Sequence, residues 1–336
     1  MHVVFRVDGG PQIGYGHLVR SGAVADELYR RNHVITVATT TPQSVRTHFP
    51  DDSTVFELPS RDNYQPFVDR LDSAVPDLVF TDAYPVDTTY QQAVRQQAPL
   101  AVVQDDARHA VCADLFINGN LYGPDLDYEY VGDPPVKCLG TEYALLRREI
   151  RERATNEIPW RERPERAIIM MGGSDIGELT PTAVRAFDGH DLRVDAIVGP
   201  GCTTEQEKAV QEAAQACSAD VRVARDPADL VDRMASADLG VSTASSTTYE
   251  LLALGTPIVS IPVVNNQEPI AAALRERDTA AVLNRTDGQQ AFETAITEYM
   301  TDPERRYERQ QRGRELVDGR GAERTTDRII DVATRD

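Results

Sequence analysis

Arg6-Val7-Asp8-Gly9-Gly10-Pro11-Gln12-Ile13-Gly14-Tyr15-Gly16-His17-Leu18-Val19-Arg20 decides how the first half of the chain folds. A short apolar run, Val3-Val4-Phe5, precedes it and reads as a strand. A helical pattern follows, with Leu18, Ala25 and Leu28 on one face. Between them four glycines allow close approach of backbone to a ligand, and a helix start offers free N–H groups and positive potential. His17 stands where the helix begins. The plain alternative is a strand-turn-helix whose histidine is merely exposed. The reading preferred here makes the stretch half of an active site, with Arg6, Asp8, Gly14, Gly16 and Arg20 near substrate and the other half in a second domain.

Working outward, apolar runs alternate with helical stretches. Strands are expected at 34–38, 55–58, 77–82, 100–104 and 115–118, with helices at 43–49, 64–73 and 88–97. Such alternation predicts a parallel, doubly wound sheet with right-handed crossovers, whose ligands bind beyond the carboxyl ends of the strands. Asp8, His17, Asp82, Tyr84, Asp105 and Asn118 all fall at or just after such ends, and Pro85 lies in the exit loop of the 77–82 strand. Residues 145–164 are highly charged, contain Pro159 and Pro164, and read as the passage between domains.

The alternation then restarts, with strands expected at 167–171, 192–198, 221–224, 239–242 and 257–262. Helices are expected at 180–187, 204–216, 230–237, 249–254 and 269–277, and an arginine-rich helical tail from Pro303 onward. The expected architecture is α/β, two Rossmann-like domains facing a cleft: 1–155, 165–305, and a tail at 306–336. No short-period repeat is visible.

A chain of 336 residues fits two domains of ordinary size, and 41% hydrophobic with 26% charged residues is globular. The longest apolar runs are strand-sized, so no membrane span is expected, and the N-terminus lacks the pattern of a signal peptide. Cys112, Cys138, Cys202 and Cys217 form no close pair and read as reduced thiols of a cytoplasmic protein. The net charge is −19, and Lys137 and Lys208 are the only lysines. Such a surface repels nucleic acid and anionic membranes and suits a cytoplasm of high salt. Oligomeric state is left open.

Two turns in the second half, Gly172-Gly173-Ser174 and Ser245-Ser246-Thr247, would expose backbone N–H groups that a diphosphate can take up without a metal. Helix caps use the same residue types. Glu250, one turn beyond Thr247, could accept hydrogen bonds from ribose hydroxyls, or could form a capping box with Thr247. No full dinucleotide fingerprint and no Walker lysine is present, which disfavours nicotinamide chemistry and P-loop phosphate binding. No cofactor is called for, and no metal site is read; Asp125-Leu126-Asp127 is the acidic pair that so acidic a chain yields by chance.

In order along the chain, Phe5-Arg6-Val7-Asp8, Ile13-Gly14-Tyr15-Gly16-His17-Leu18-Val19-Arg20, Thr81-Asp82-Ala83-Tyr84, Gln104-Asp105-Asp106 and Asp114-Leu115-Phe116-Ile117-Asn118 form a recognisable pattern. It continues through Leu139-Gly140, Tyr143 to Arg147, Met171-Gly172-Gly173-Ser174-Asp175, Ala244 to Glu250, Leu254-Gly255, Pro257 and Asn266-Gln267. This pattern resembles the UDP-2,4-diacetamido-2,4,6-trideoxy-β-L-altropyranose hydrolases of pseudaminic acid synthesis. Their fold is that of the GT-B glycosyltransferase of peptidoglycan lipid II synthesis. Spore-coat polysaccharide proteins of the glycosyltransferase type look similar.

The resemblance implies a GT-B fold, a UDP-sugar substrate held mainly by the second domain, and a metal-independent, inverting reaction. His17 would be the base that activates water, with Tyr84 and Asn266 lining the sugar site and Gln267 beside it. Glu250 would hold the ribose, and Ser246 and Thr247 with Gly173 the diphosphate. The preference for uracil comes from the resemblance alone. Histidine's ordinary pKa near 6.5 suits the base, and amide dipoles at a helix start suit a departing diphosphate.

Two other functions compete. A glycosyltransferase would put a sugar or lipid hydroxyl in the place of water, with His17 in the same role. A non-catalytic nucleotide-sugar-binding module would keep Glu250 but have no use for His17. The first domain presents no apolar or basic patch for a lipid acceptor, which tilts the reading towards hydrolysis.

Overall fold

Alternation along single strands shows how the first sheet is buried. Val3, Phe5 and Val7 join one core with Leu78, Phe80, Leu115 and Ile117, whereas Val4, Val79 and Phe116 join a second. Successive side chains of a strand point to opposite faces, so a sheet covered by helices on both sides needs an unbroken apolar run. Leu18, Val24 and Leu28 cover the first face, and Phe67, Leu71, Tyr90 and Val94 the second.

The structure is a computed structural model and describes residues 1–11, 13–84, 86–155 and 160–335. Gln12 of the opening loop, Pro85 of the exit loop and Pro159 of the charged passage lie outside the described residues. The first half runs β1 (His2–Val7), α1 (Gly16–Arg30), β2 (Val34–Thr39), α2 (Pro42–Val45), β3 (Thr54–Glu57) and α3 (Gln65–Ala74). It continues with β4 (Leu78–Asp82), α4 (Thr88–Arg95), β5 (Leu100–Val103), β6 (Leu115–Asn118) and β7 (Val136–Leu139). After α5 (Arg148–Ala154) the second half runs β8 (Arg166–Met170), α6 (Thr180–Arg185), β9 (Arg193–Val198), α7 (Thr204–Ala216), β10 (Asp220–Arg225) and α8 (Leu230–Ser236). Then come β11 (Leu239–Thr243), α9 (Ser246–Ala253), β12 (Ile258–Ile261), α10 (Glu268–Glu276), β13 (Ala280–Val282), α11 (Gln289–Thr301), α12 (Pro303–Leu316) and α13 (Gly321–Ala333).

The chain divides into two units, Met1–Arg148 with Gly319–Asp336, and Glu149–Asp318. The first holds a sheet of order β3-β2-β1-β4-β5-β6-β7, with every pair parallel. The second holds β10-β9-β8-β11-β12-β13, again all parallel. Both orders reverse direction beside the unit's first strand, as doubly wound sheets do. In the second unit Ile169, Val194, Val241 and Val259 pack with Val184, Phe187, Phe292 and Ile296 from α6, the turn after it, and α11.

The expected domain limits need correction at both ends. Residues 149–155 fall in the second unit, and the tail drawn as 306–336 is not one piece. Its α12 packs on α9, whereas α13 packs on α1 of the first unit. There Ala322, Ile329 and Val332 complete the core around Leu18, Val24 and Leu28. Gly321 makes that docking possible, because a Cβ there would lie 2.2 Å from the carbonyl oxygen of Ala144. β7, β13 and α11 were not anticipated. β7 is an edge strand carrying Lys137, and β13 is three residues of Ala-Ala-Val, so neither shows a long apolar run.

Candidate functional site

In the first unit the chain leaves β1 towards β2 on one side of the sheet, and β4 leads on to β5 on the other. Ligand sites of doubly wound sheets lie beyond the carboxyl ends of strands at such a reversal. Val7 pairs with Asp82, so the loop after β1 and the end of β4 emerge together. The loop closes on itself: the N–H of Gly10 donates to the carbonyl of Gly14 at 3.0 Å, and the N–H of Gly14 donates back at 2.7 Å. Gly14 has φ of +94°, a conformation that favours glycine. This closed turn delivers Gly16 as the first residue of α1 and His17 as the second, with no side chain capping the helix.

His17, Arg20, Asp82, Tyr84, Asp105, Arg108 and His109 are among the residues that line a hollow there. The imidazole of His17 is half-buried, lies against the ring of Tyr84, and makes no hydrogen bond among the described residues. Burial holds its pKa below the ordinary 6.5, with Arg20 and Arg61 acting the same way and the Asp82 and Asp105 carboxylates opposing them. The start of α1 also disfavours a cation at this point. His17 is therefore neutral at neutral pH, with a ring nitrogen able to take a proton.

Below it, Arg20 spans two carboxylates. Its Nε and Nη2 donate to Asp82 at 2.7 and 2.6 Å, and its Nη1 and Nη2 donate to Asp105 at 2.8 and 3.1 Å. Ser21 Oγ also donates to Asp82, and Asn120 Nδ2 donates to Asp105. Burial alone would push the Asp105 carboxyl up, but the charge and hydrogen bonds of Arg20 outweigh it and hold the group below its ordinary value. Asp82 and Asp105 were recognised in the sequence as strand-end residues but not as members of the site. Arg108 and His109 were missed, since the loop after β5 carries no pattern that separates them from surface charge.

Two expectations change here. Arg6 and Asp8, expected at the substrate, are buried and ion-paired with each other at 2.6 Å. Asp8 is further held by the N–H and hydroxyl of Thr40 at 2.7 and 2.9 Å. A charged pair in a protein interior needs its remaining polar atoms satisfied from within, and that requirement explains these residues. Arg20 keeps its place in the lining of the hollow, where its guanidinium is hydrogen-bonded to Asp82 and Asp105.

In the second unit Gly172 takes φ of +85°, and the carbonyl of Gly173 accepts from the N–H of Gly201 at 2.8 Å, so the two glycine turns brace each other. The turn does not offer the N-terminus of α6 as a diphosphate site. Asp175 already accepts from the N–H groups of Leu179 and Thr180 at 2.9 and 3.0 Å. Ser174 lies half-buried beside it, and its carbonyl accepts weakly from Gln206 Nε2 at 3.3 Å.

The α9 turn differs. Ser245 occupies the N-cap, makes no side-chain cap, and is followed by Ser246 and Thr247 in the first turn. The alternative of a capping box led by Thr247 is thereby set aside, because Thr247 lies inside the helix. Glu250 is buried one turn on. Asn266 and Gln267 sit in a short turn before α10, and Gln267 Oε1 accepts the N–H of Val263 at 2.8 Å. That amide therefore shapes its own loop. Among the described residues no group of three or more His, Cys, Asp and Glu side chains is placed to hold a metal ion. No described helix is long and apolar enough to cross a membrane.

No family model matches the chain. It is similar to the UDP-2,4-diacetamido-2,4,6-trideoxy-β-L-altropyranose hydrolase of Campylobacter jejuni, 25% identical over 281 residues, which covers 82% of this chain and 97% of the other. It is also similar to the spore coat polysaccharide biosynthesis protein SpsG of Bacillus subtilis, 22% identical across 99% of this chain and 98% of that one. Among solved structures it is similar to CalG4, the calicheamicin glycosyltransferase, with a TM-score of 0.68 and 16% identity over 99% of this chain and 98% of the other. These are the likenesses that the motifs led one to expect. The fold is α/β of the GT-B class, two parallel-sheet units.

Proposed function

We propose that the chain is an enzyme acting on a UDP-sugar, and that it releases UDP by hydrolysis. The observation that carries this reading is His17: a neutral imidazole, free of hydrogen bonds among the described residues, held at a helix start against an aromatic ring. The likeness to a UDP-sugar hydrolase across 97% of that protein supports the same chemistry and a deoxy-diacetamido sugar as the substrate class.

In this reading a ring nitrogen of His17 takes a proton from water as the water oxygen attacks the anomeric carbon. The bond from that carbon to the diphosphate oxygen breaks, its electron pair leaves with UDP, and the configuration inverts. General-base help of this kind is worth about 10²–10⁴-fold in rate. The uncapped start of α9 at Ser246 and Thr247 supplies amides for the diphosphate, with Gly173 assisting, and Glu250 accepts from the ribose. Tyr84 and Asn266 line the sugar.

The likeness to a glycosyltransferase structure favours a second reading, in which an acceptor hydroxyl replaces water and His17 deprotonates it instead. A panel of UDP-sugars incubated in high salt, without any acceptor, separates the two. Hydrolysis gives UDP from at least one sugar. UDP that appears only after a hydroxyl acceptor is supplied would establish transfer instead.

A further inference from the structure

The Arg20 guanidinium, in the lining of the same hollow as His17, divides four hydrogen bonds between two carboxylates. Each of its two partner carboxylates receives two of its hydrogen bonds, and each has a further anchor in Ser21 or Asn120. Asn120 is itself tied to Asn118 Oδ1 at 2.8 Å, and Asn118 donates to Tyr128 OH at 2.8 Å. Asp82 ends β4 and Asp105 follows β5, so one side chain from α1 ties the carboxyl ends of these two adjacent strands, and Asn118 at the end of β6 joins them through Asn120.

We propose that Arg20 is a positioning residue, a clamp that fixes Asp82 and Asp105 beneath His17 and offsets their charge there. The proposal rests on the reading of His17 as the base. A lysine could neutralise one carboxylate but could not reach both with paired, planar donors.

The electrostatic consequence follows from every charged or titratable group around the imidazole. Asp82 and Asp105 favour its protonation, and Arg20 and Arg61 oppose it. Tyr84 packs on its ring, while Asp106, Arg108 and His109 line the same hollow, with Arg108 already paired to Asp106 at 2.7 Å. Removing the Arg20 charge leaves two carboxylates facing His17 with Arg61 as the remaining cation among those that act on it. The imidazole then holds its proton to higher pH, and less of the base is free at neutrality.

The test compares wild type with Arg20→Gln, Arg20→Lys and the double variant Arg20→Gln/Asp105→Asn. The His17 ring is titrated by NMR in the protein without substrate, its signal assigned through His17→Gln. The expected result is a midpoint about one pH unit higher in Arg20→Gln, partly restored in Arg20→Lys and restored further in the double variant. The acid limb of UDP release should move by the same amount. A midpoint unchanged in folded Arg20→Gln overturns the clamp, even if activity falls. If Arg20→Gln does not fold, Arg20→Lys and the double variant carry the comparison. Wild type that never releases UDP overturns the functional reading instead, and the NMR titration still decides the clamp.

Discussion

The rings of His17 and Tyr84 sit with centroids 4.7 Å apart and planes inclined by 54°, and the guanidinium of Arg108 lies 5.9 Å from the centre of the Tyr84 ring. Tyr84 is half exposed, so its packing serves the imidazole rather than the core. Tyr84→Phe keeps that contact and should retain most of the activity. Tyr84→Ala leaves the imidazole unsupported and should lower kcat by about a hundredfold, the cost of small misplacement in a site. The measurement is steady-state UDP release beside thermal unfolding, which should be nearly unchanged in both variants.

The pH dependence has a definite sign. Burial lowers the His17 pKa, so at pH 6.5, where an ordinary histidine is half protonated, more than half of the imidazole is neutral. The acid limb of activity should therefore have its midpoint below pH 6.5, at the folded value. The stability linked to this histidine runs the same way: it is full above 6.5 and is lost as pH falls through that lower value. A profile of kcat/KM against pH reads the limb, and a midpoint above 6.5 would contradict the assignment.

Much of this was legible in the sequence, and the limits of legibility are physical. Strand alternation and the glycine turn before Leu18 fixed two doubly wound sheets and the place of His17, because both depend on local patterns. What pairs with what across strands does not. Nothing local distinguishes Asp8, paired with Arg6, from Asp82, which lines the hollow; each lies at or just after the end of a strand. Arg20 sits at helical spacing from His17, yet its partners come from 62 and 85 residues away. The same holds for α13, whose apolar face reads as a helix but whose partner, α1, lies at the other end of the chain.

The Arg6–Asp8 pair should act on stability. Burial raises the Asp8 carboxyl, but Arg6 and the Thr40 bonds outweigh that and hold it below the ordinary 3.8. Its contribution is present above 3.8 and is lost as pH falls through the lower folded value. Asp8→Ala strands Arg6 in the interior and should cost about 3–5 kcal/mol in urea unfolding. A variant that unfolds like wild type but fails to bind substrate would return Asp8 to the ligand.

Glu250 separates nucleotide binding from chemistry. Its loss removes a charged acceptor for the ribose, and Glu250→Ala should weaken UDP binding by about tenfold, the lower range for a hydrogen bond to a charged group. Calorimetric titration with UDP gives the constant, and circular dichroism checks the fold. An unchanged dissociation constant would refute the ribose role.

The central claim is that His17 activates water at the anomeric carbon of a UDP-sugar. Single-turnover reaction in heavy-oxygen water, with the free sugar followed by NMR and mass spectrometry, tests it most directly. Wild type should place solvent oxygen on the anomeric carbon with inverted configuration, and His17→Ala should be slower by about 10²–10⁴-fold. Release of UDP by His17→Ala at the wild-type rate, or solvent oxygen found on the diphosphate instead of the sugar, would contradict the claim.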